Sequence, residues 1–224
     1  MARICIIDYR RGNLASVHRG LTDAGFDAFI SDRAEDVFSA DGLLLPGVGS
    51  FKDAITFLEQ SGQADAIRKR VAQGVPFLGI CLGLQLVYEQ GNEGCAQGET
   101  LPGLGLVPGE VVRMPALTPQ GEKVKVPHVG WNSVELVNGG QGNPLFDGIE
   151  DGSYFYFTHS FVGVPANKED VAGITVHAQP FVSAIRHGNV FATQFHPEKS
   201  SAVGMRLLAN FGRLVEEYSQ GGLR

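Results

Sequence analysis

A pentapeptide near the middle of the chain, residues 79–83 (GICLG), places Cys81 between two glycines. An apolar run precedes it at residues 76–80, and a helical pattern follows at Leu84, Leu86 and Val87. This order predicts a strand that turns sharply into a helix, which needs small neighbours because its central residue is strained. The start of a helix favours a thiolate, so Cys81 is a candidate nucleophile. A buried core cysteine is the alternative that this segment alone leaves open.

A candidate base lies far downstream, in residues 194–198 (QFHPE). His196 and Glu198 are two residues apart, and at strand spacing such side chains project to the same face. Glu198 is therefore placed to hold the imidazole of His196 and to fix its tautomer. A pair of surface polar residues is the alternative. A metal site would need a third ligand, and the sequence offers none at a suitable spacing.

The composition is typical of a globular α/β protein. The 224 residues suffice for one sizeable domain, with 43% hydrophobic and 19% charged residues. A formal net charge of −6 without a basic run disfavours a nucleic-acid binder. No apolar run approaches the roughly 18 residues of a membrane span. The three cysteines indicate neither a disulfide framework nor a zinc site, so we expect a cytoplasmic protein without a metal.

The first half of the chain alternates short apolar runs with helical patterns, which predicts a parallel sheet. We expect strands at residues 3–8, 42–45 and 76–80, and helices at 13–24, starting at a capping Asn13, and at 50–73, broken at 61–62. Strand-like runs then dominate, and an amphipathic helix follows at 201–218. The later strands are expected at residues 107–114, 124–137, 154–157, 171–176, 181–186 and 190–195. The prediction is one α/β domain, residues 1–224, with a mixed, mostly parallel central sheet flanked by helices.

The cysteine pentapeptide and the late His-Pro-Glu together resemble the class I (triad) glutamine amidotransferases. Within that family, the chain is most similar to the glutaminase subunits of imidazole glycerol phosphate synthases. The similarity covers nearly the whole chain and rests on segments in residues 7–14, 46–51 (PGVGSF), 127–132 (PHVGWN), 156–161 (YFTHSF) and 194–200 (QFHPEKS). It implies a flavodoxin-like fold with a nucleophile elbow and no cofactor.

The resemblance implies that Cys81 attacks the side-chain amide of L-glutamine, that His196 shuttles protons and that Glu198 orients His196. The negative oxygen of the intermediate needs preorganised N–H donors. The N–H of Leu82 is one, and the segment with Val48 and Gly49 would supply another. We expect this Gly-Val-Gly segment to switch activity by turning its peptide on partner engagement. An ordinary Gly/Pro turn is the alternative for it.

Further roles follow from the same resemblance. The residues that would bind glutamine are Gly47, Gln85, Glu93, His159 and Ser160. Gln85 lies one helical turn after Cys81, which allows its side chain to face the same pocket. A solvated loop acid is the alternative for Glu93, and a structural histidine is the alternative for His159.

The implied partner is a (βα)8-barrel cyclase that uses the released ammonia to make imidazole glycerol phosphate and AICAR in histidine biosynthesis. The residues expected to face it are Asn13, Trp131, Tyr156 and Lys199. A core tryptophan and a solvent-exposed lysine are the alternatives for two of them. Arg10-Arg11 departs from the family pattern, which has glycine directly after Asp8-Tyr9, and this concerns the identity of the partner.

Three other functions remain open on sequence grounds, and a stand-alone cysteine hydrolase of γ-glutamyl compounds is the weakest of them. The remaining two keep the same fold. A similar glutaminase could supply ammonia to a different synthase, as in pyridoxal phosphate or amino-sugar biosynthesis. A catalytically silent regulatory subunit could keep the fold without the reaction, although the intact Cys81, His196 and Glu198 argue against it. The partner that co-purifies with the chain distinguishes the first of these from an imidazole glycerol phosphate synthase.

Overall fold

The computed structural model describes residues 2–10, 12–96 and 98–221; Arg11 of the unusual arginine pair lies outside them. The first half of the chain alternates strands and helices. Its elements are β1 (Arg3–Ile7), α1 (Leu14–Asp23), β2 (Asp27–Ser31), α2 (Ala34–Ser39), β3 (Gly42–Gly47), α3 (Phe51–Gln60), α4 (Gln63–Ala72), β4 (Phe77–Cys81) and α5 (Leu82–Leu86).

The second half consists mainly of strands. They are β5 (Tyr88–Gly91), β6 (Leu101–Pro102), β7 (Val107–Arg113), β8 (His128–Ser133), β9 (Glu135–Leu136), β10 (Tyr154–His159), β11 (Phe161–Pro165), β12 (Val171–His177), β13 (Gln179–His187) and β14 (Val190–Thr193). A last helix, α6 (Ser201–Ser219), packs back against α1.

The main sheet of the described residues has eight strands in the order β2-β1-β3-β4-β14-β13-β12-β9. Strands β2, β1, β3, β4 and β14 run parallel, and the remaining three continue the sheet antiparallel. The parallel part has the strand order of flavodoxin-like folds. The predicted mixed α/β sheet flanked by helices is therefore confirmed.

Hydrophobic cores form on both faces of this sheet, because successive side chains of its central strands point to opposite faces. In β1, Ile4 and Ile6 belong to one core, with residues of α1 and α6. Cys5 and Ile7 belong to the other core, with residues of α3 and α4. Burial raises the pKa of the Cys5 thiol to about 12, which fits a packing role.

Some predicted boundaries were wrong for an identifiable reason. The single strand expected at 124–137 is two strands, β8 and β9, because β8 pairs with β10 whereas β9 pairs with β12. The chain changes sheet at Val134, whose N–H donates to the carbonyl of Ser153 instead.

Asn13 occupies the N-cap position of α1, but its side chain makes no capping hydrogen bond. The helix pair α3 and α4 does break at Ser61-Gly62, with Gly62 at φ +76°.

The order of the central strands brings the distant sequence segments together. Strand β4 lies between β3 and β14, with Gly47 paired to Cys81 and Thr193 paired to Ile80. The carboxyl ends of parallel strands lie at the same edge, where α/β folds bind ligands. The Gly-Val-Gly segment, Cys81 and the His196 segment therefore meet at one edge. Within the described residues, no helix has the length and apolarity needed to cross a membrane.

Candidate active site

The backbone at Cys81 has the strained conformation that the glycine pattern predicted. Cys81 has φ +56° and ψ −101°, a region that non-glycine residues rarely occupy. A Cβ atom on Gly83 would lie 2.0 Å from the carbonyl oxygen of Leu45, and one on Gly79 would lie 2.7 Å from the backbone of Gly83. Both glycines are therefore required by contact, and the surrounding strands hold Cys81 in its strained turn.

The imidazole and carboxylate beside Cys81 form a buried pair. His196 Nδ1 lies 2.9 Å from Glu198 Oε1, and the two side chains are 2% and 1% exposed. Nδ1–H donates to the carboxylate, so Nε2 is the ring nitrogen that remains able to exchange a proton. Nε2 has no conventional hydrogen-bond partner among the described residues. It is thus available for proton transfer at the nucleophile.

The electrostatics of the pair favour a charged imidazole. Burial alone lowers the pKa of His196, but the charge and proximity of Cys81 and the hydrogen bond and charge of Glu198 outweigh it. Together they raise the pKa of His196 to about 9. A thiolate–imidazolium pair braced by a carboxylate is the arrangement that activates a cysteine nucleophile. The Cys81 thiol also contacts the carbonyl oxygen of Thr158, at 3.7 Å.

A small cavity of about 260 Å³ opens at Cys81. This is the size of an amino-acid site, below the usual range of drug-sized pockets. Most of the residues expected at the site line it, and Gly47 lies just outside, against Tyr9 and Leu82. The lining residues among those expected are Val48, Gly49, Cys81, Leu82, Gln85, Glu93, His159 and Ser160.

Glu93 and Gln85 line the cavity, and each uses one polar atom of its side chain in hydrogen bonds within the protein. Glu93 Oε2 accepts a hydrogen bond of 2.7 Å from the N–H of Phe51, at the start of α3. Burial raises the pKa of Glu93, and the Phe51 N–H partly offsets this rise. The Gln85 side chain donates through Nε2 to the carbonyl of Phe161 and to Gln194. Each thus keeps an acceptor oxygen that suits the ammonium group of an amino acid.

His159 has both ring nitrogens engaged inside the protein. Nδ1–H donates to the carbonyl oxygen of Phe161 at 2.9 Å, so Nε2 must accept, and it does so from His128 Nδ1 at 3.1 Å. Burial is the main cause that lowers the pKa of His159 to about 3 and that of His128 to about 4. The structure thus favours the structural alternative for His159, whose ring walls the cavity as a neutral group.

The lowered pKa values of His159 and His128 predict that the fold loses stability in acid. The unfolded chain binds a proton at each near pH 6.5, whereas folded His159 stays neutral down to about pH 3. The contribution of neutral His159 to the free energy of unfolding is fully present above pH 6.5 and decreases as pH falls. At pH 5 the loss is about 2 kcal/mol. Urea unfolding at pH 7 and pH 5 measures it. His159→Gln should reduce the acid loss and His18→Gln on α1 should not; equal losses in both variants would contradict the prediction.

The Gly-Val-Gly segment, which is expected to supply an oxyanion donor, follows β3 at the mouth of the cavity. Val48 is exposed and Gly49 has φ +113°, which suits glycine. On the other side, Leu82 begins α5 directly after Cys81. The two segments thus flank the sulfur, where donors to a developing negative oxygen would be needed.

Three of the four residues expected to face a partner share one surface. Strands β8 and β10 form a two-stranded sheet in which Trp131 pairs with Tyr156. The outer side of this sheet is apolar and exposed, with Trp131 51% exposed and its ring edge-on to Tyr156. Lys199 Nζ lies 5.8 Å from the centre of the Tyr156 ring. Asn13, at the start of α1, belongs to another element and is only partly exposed.

Sequence reasoning missed several groups that the structure places at the site. Gln194 and His128 lie inside the recognised segments but received no role, and Thr158 and Pro127 line the cavity. A glutamine in an apolar strand is a usable signal, because a buried amide needs partners. The sequence could not identify those partners, Gln85 and Cys81, since they lie more than 100 residues away along the chain, on α5 and at the end of β4.

The described residues contain no cluster of three or more His, Cys, Asp or Glu side chains that could hold a metal ion. The polar groups of the site instead contact one another or the cavity. This donor set can perform nucleophilic and acid–base chemistry on a small polar substrate.

Comparison with known proteins relates the site to a named family. Residues 5–214 match the family model described as glutamine amidotransferase class-I. The imidazole glycerol phosphate synthase subunit HisH of Moorella thermoacetica is 46% identical over 222 residues, 99% of this chain and 100% of that protein. The subunit of the same name from Geobacillus thermodenitrificans is 43% identical over 221 residues, again 99% and 100%.

Solved structures share the fold at low identity. PurLQS from Thermotoga maritima superposes with a TM-score of 0.69 at 19% identity, covering 98% of this chain and 100% of that chain. The glutaminase domain of Trypanosoma brucei CTPS gives a TM-score of 0.63 at 15% identity, covering 95% and 94%. These two likenesses concern the fold alone.

Proposed function

This chain belongs to the class I glutamine amidotransferase family, and we propose that it is the glutaminase subunit of an imidazole glycerol phosphate synthase, acting in histidine biosynthesis. The observation that carries the chemistry is the strained Cys81 beside the buried His196–Glu198 pair. The observation that supports assignment to this synthase is the 46% identity to a HisH subunit over nearly the full length of both chains. The proposed reaction converts L-glutamine and water to glutamate and ammonia.

The first half of the reaction forms a thioester. The Cys81 thiolate attacks the side-chain amide carbon of glutamine, and the carbonyl electron pair moves to the oxygen. His196 then gives its proton to the amide nitrogen, the C–N bond breaks and ammonia leaves. Glu198 stabilises the charged imidazole and keeps Nδ1 as its donor, so that Nε2 performs the transfer.

The second half returns the enzyme to its starting state. Water attacks the thioester carbon while His196 accepts its proton, and the C–S bond breaks with sulfur leaving as the thiolate. Glutamate leaves with the site again a thiolate–imidazolium pair. The N–H of Leu82 and a peptide N–H near Val48 and Gly49 would stabilise the negative oxygen in both halves.

The proposed substrate contacts follow from the cavity wall. The acceptor oxygens of Gln85 and Glu93 would take the α-ammonium group of glutamine. Ser160 and the face of His159 would border its remaining polar atoms, and Gly47 keeps the oxyanion segment close to Cys81. A Cβ on Gly47 would lie 1.8 Å from the Tyr9 hydroxyl oxygen, so a larger residue would displace this segment.

The proposed partner is a (βα)8-barrel cyclase that receives the ammonia, and the exposed side of the β8–β10 sheet is its docking surface. Tyr156, which pairs with Trp131 in this sheet, accepts a hydrogen bond of 2.9 Å from the N–H of His196 through its carbonyl oxygen. Lys199 follows the triad acid and would pair with a partner carboxylate. Docking at Tyr156 would therefore act on the backbone segment that positions His196, the catalytic base. Asn13 would extend this contact, and a cytoplasmic location suits a biosynthetic pair.

Arg10 stands where the family pattern has glycine, and it takes a glycine-like conformation. Its φ is +65°, and its N–H donates to the carboxylate of Asp8 at 2.6 Å. The guanidinium lies 5.5 Å from the centre of the Phe57 ring. The turn therefore tolerates arginine through the local Asx-type hydrogen bond.

Comparison of the isolated chain with its complex tests the function and the switch together. The chain is co-expressed with the cyclase encoded in the same organism, and glutamate release is measured with and without the cyclase. We expect glutamine-dependent synthesis by the complex and at least ~10-fold slower hydrolysis by the chain alone, since the oxyanion donor is set by docking. Trp131→Ala should weaken the complex, and Phe38→Ala on α2 should not. No binding to the cyclase would refute the proposal, and equal hydrolysis rates would refute the switch.

A further inference from the structure

Gln194 is a buried amide that contacts the nucleophile. Its exposed fraction is 0%, and it lies between the end of β14 and His196. The Gln194 side-chain Nε2 lies 3.7 Å from Cys81 Sγ, within hydrogen-bond range for sulfur. Its backbone N–H donates to the carbonyl of Ser183 at 2.8 Å, which fixes the position of the residue on the sheet.

The orientation of this amide is determined by its other partners. Gln85 Nε2 lies 3.1 Å from the carbonyl oxygen of Phe161, which can only accept, so this end of Gln85 is the donor. The same Nε2 lies 3.2 Å from Gln194 Oε1. Gln194 must therefore present its oxygen to Gln85 and its N–H to the sulfur.

We propose that Gln194 is a further catalytic residue of this site, whose side-chain N–H donates to Cys81 Sγ and stabilises the thiolate. The inference rests on the proposed function, because it assigns a role in generating the nucleophile. Helix α5 has five residues, so its macrodipole is short and a direct donor matters more. Donors to a buried charged atom contribute more than donors between neutral groups.

The chain of donors behind Gln194 is continuous and extends away from the sulfur. Phe161 O also accepts from His159 Nδ1, and His159 Nε2 in turn accepts from His128 Nδ1. His128 Nε2 accepts at 3.3 Å from Asn132 Nδ2, whose nitrogen is identified by its bond to the carbonyl of Val176. Backbone carbonyls set the donor roles of Gln85, His159 and Asn132. The acceptor Nε2 of His159 sets that of His128, and no member needs to be charged.

The titratable groups that face the sulfur are few. His196 and Glu198 lie on the segment after β14, and His159 lies on the cavity wall with its pKa lowered mainly by burial. Glu93 lies across the cavity with its pKa raised by burial. Replacing Gln194 by a neutral residue changes none of these groups, so a shift in thiol reactivity would report the lost donor.

The test measures how Cys81 alkylation by iodoacetamide depends on pH in the full chain, by mass spectrometry. Gln194→Met preserves length and removes the donor; Gln194→Glu preserves shape and places an oxygen at the sulfur. We expect the pH of half-maximal alkylation to rise by about one unit in Gln194→Met and further in Gln194→Glu. Thr193→Val is the control, because its buried hydroxyl donates to the Phe195 carbonyl and not to sulfur.

Turnover in the cyclase complex gives the second readout. We expect kcat to fall about 10-fold in Gln194→Met with KM nearly unchanged, since the donor acts on the nucleophile and not on substrate binding. Unchanged alkylation midpoints in variants with native circular dichroism would overturn the inference. If Gln194→Met does not fold, Gln194→Leu, which also removes the donor without adding a charge, decides it by the same midpoint. A wild-type complex without glutamine turnover would instead refute the proposed function itself.

Discussion

Cys81→Ala abolishes glutamine-dependent synthesis by the cyclase complex, with a fall of about 10⁴-fold or more, while synthesis from added ammonium salt continues. The physical reason is that a thioester needs a thiol, and among the described residues Cys81 is the cysteine that lines the cavity. Ammonia bypasses the glutaminase reaction and needs only the cyclase. The measurement is product formation by the complex with glutamine or with ammonium as the nitrogen source.

Cys95→Ala serves as the matched control for this prediction. Cys95 lies in a loop, and its thiol lies within hydrogen-bond range of the backbone carbonyls of Gly91 and Glu93, at 3.9 and 4.0 Å. It should retain glutamine-dependent synthesis. Loss of both nitrogen sources in Cys81→Ala, with the complex intact by gel filtration, would mean that Cys81 is needed for assembly of the active complex and not for chemistry alone.

Glu198→Gln should lower glutamine-dependent kcat by about 10²- to 10⁴-fold. The amide is nearly the same size and can still accept from His196 Nδ1, but it cannot stabilise the imidazolium charge. Glu198 contributes to the raised pKa of His196, so that pKa should fall in the variant. The alkaline limb of the kcat/KM profile reports loss of the imidazolium proton, and we expect it at lower pH by about one unit.

The control for Glu198→Gln is Glu217→Gln on the exposed side of α6, which makes the same change of charge away from the site. It should leave both kcat and the alkaline limb unchanged. A Glu198→Gln variant with an unshifted alkaline limb would show that the carboxylate does not act through His196. Normal ammonia-dependent synthesis by the variant complex excludes a general folding defect.

Several features of this protein follow from local sequence alone. The residues 79–83 predicted a strained turn, and the contacts of Gly79 and Gly83 show why it needs glycine on both sides. The pairing of His196 with Glu198 was expected from a spacing of two residues in a strand. The pair does form, but in the 3-10 turn Pro197–Lys199 that follows β14 and not in a strand. Buried parallel strands could be recognised as continuous apolar runs, because both of their faces are covered. These are properties of neighbouring residues, so the linear sequence carries them.

Other features depended on which strands lie side by side. The proximity of Cys81 to the His196 segment requires β14 to lie beside β4, and the closing of β8 and β10 into a separate sheet requires a change of partner at Val134. The orientation of Gln194 depends on carbonyl oxygens from other elements. Hydrogen-bond direction and burial arise only when such distant groups meet. The sequence by itself therefore determined which residues could react, and the tertiary structure decided which donor and acceptor atoms surround them.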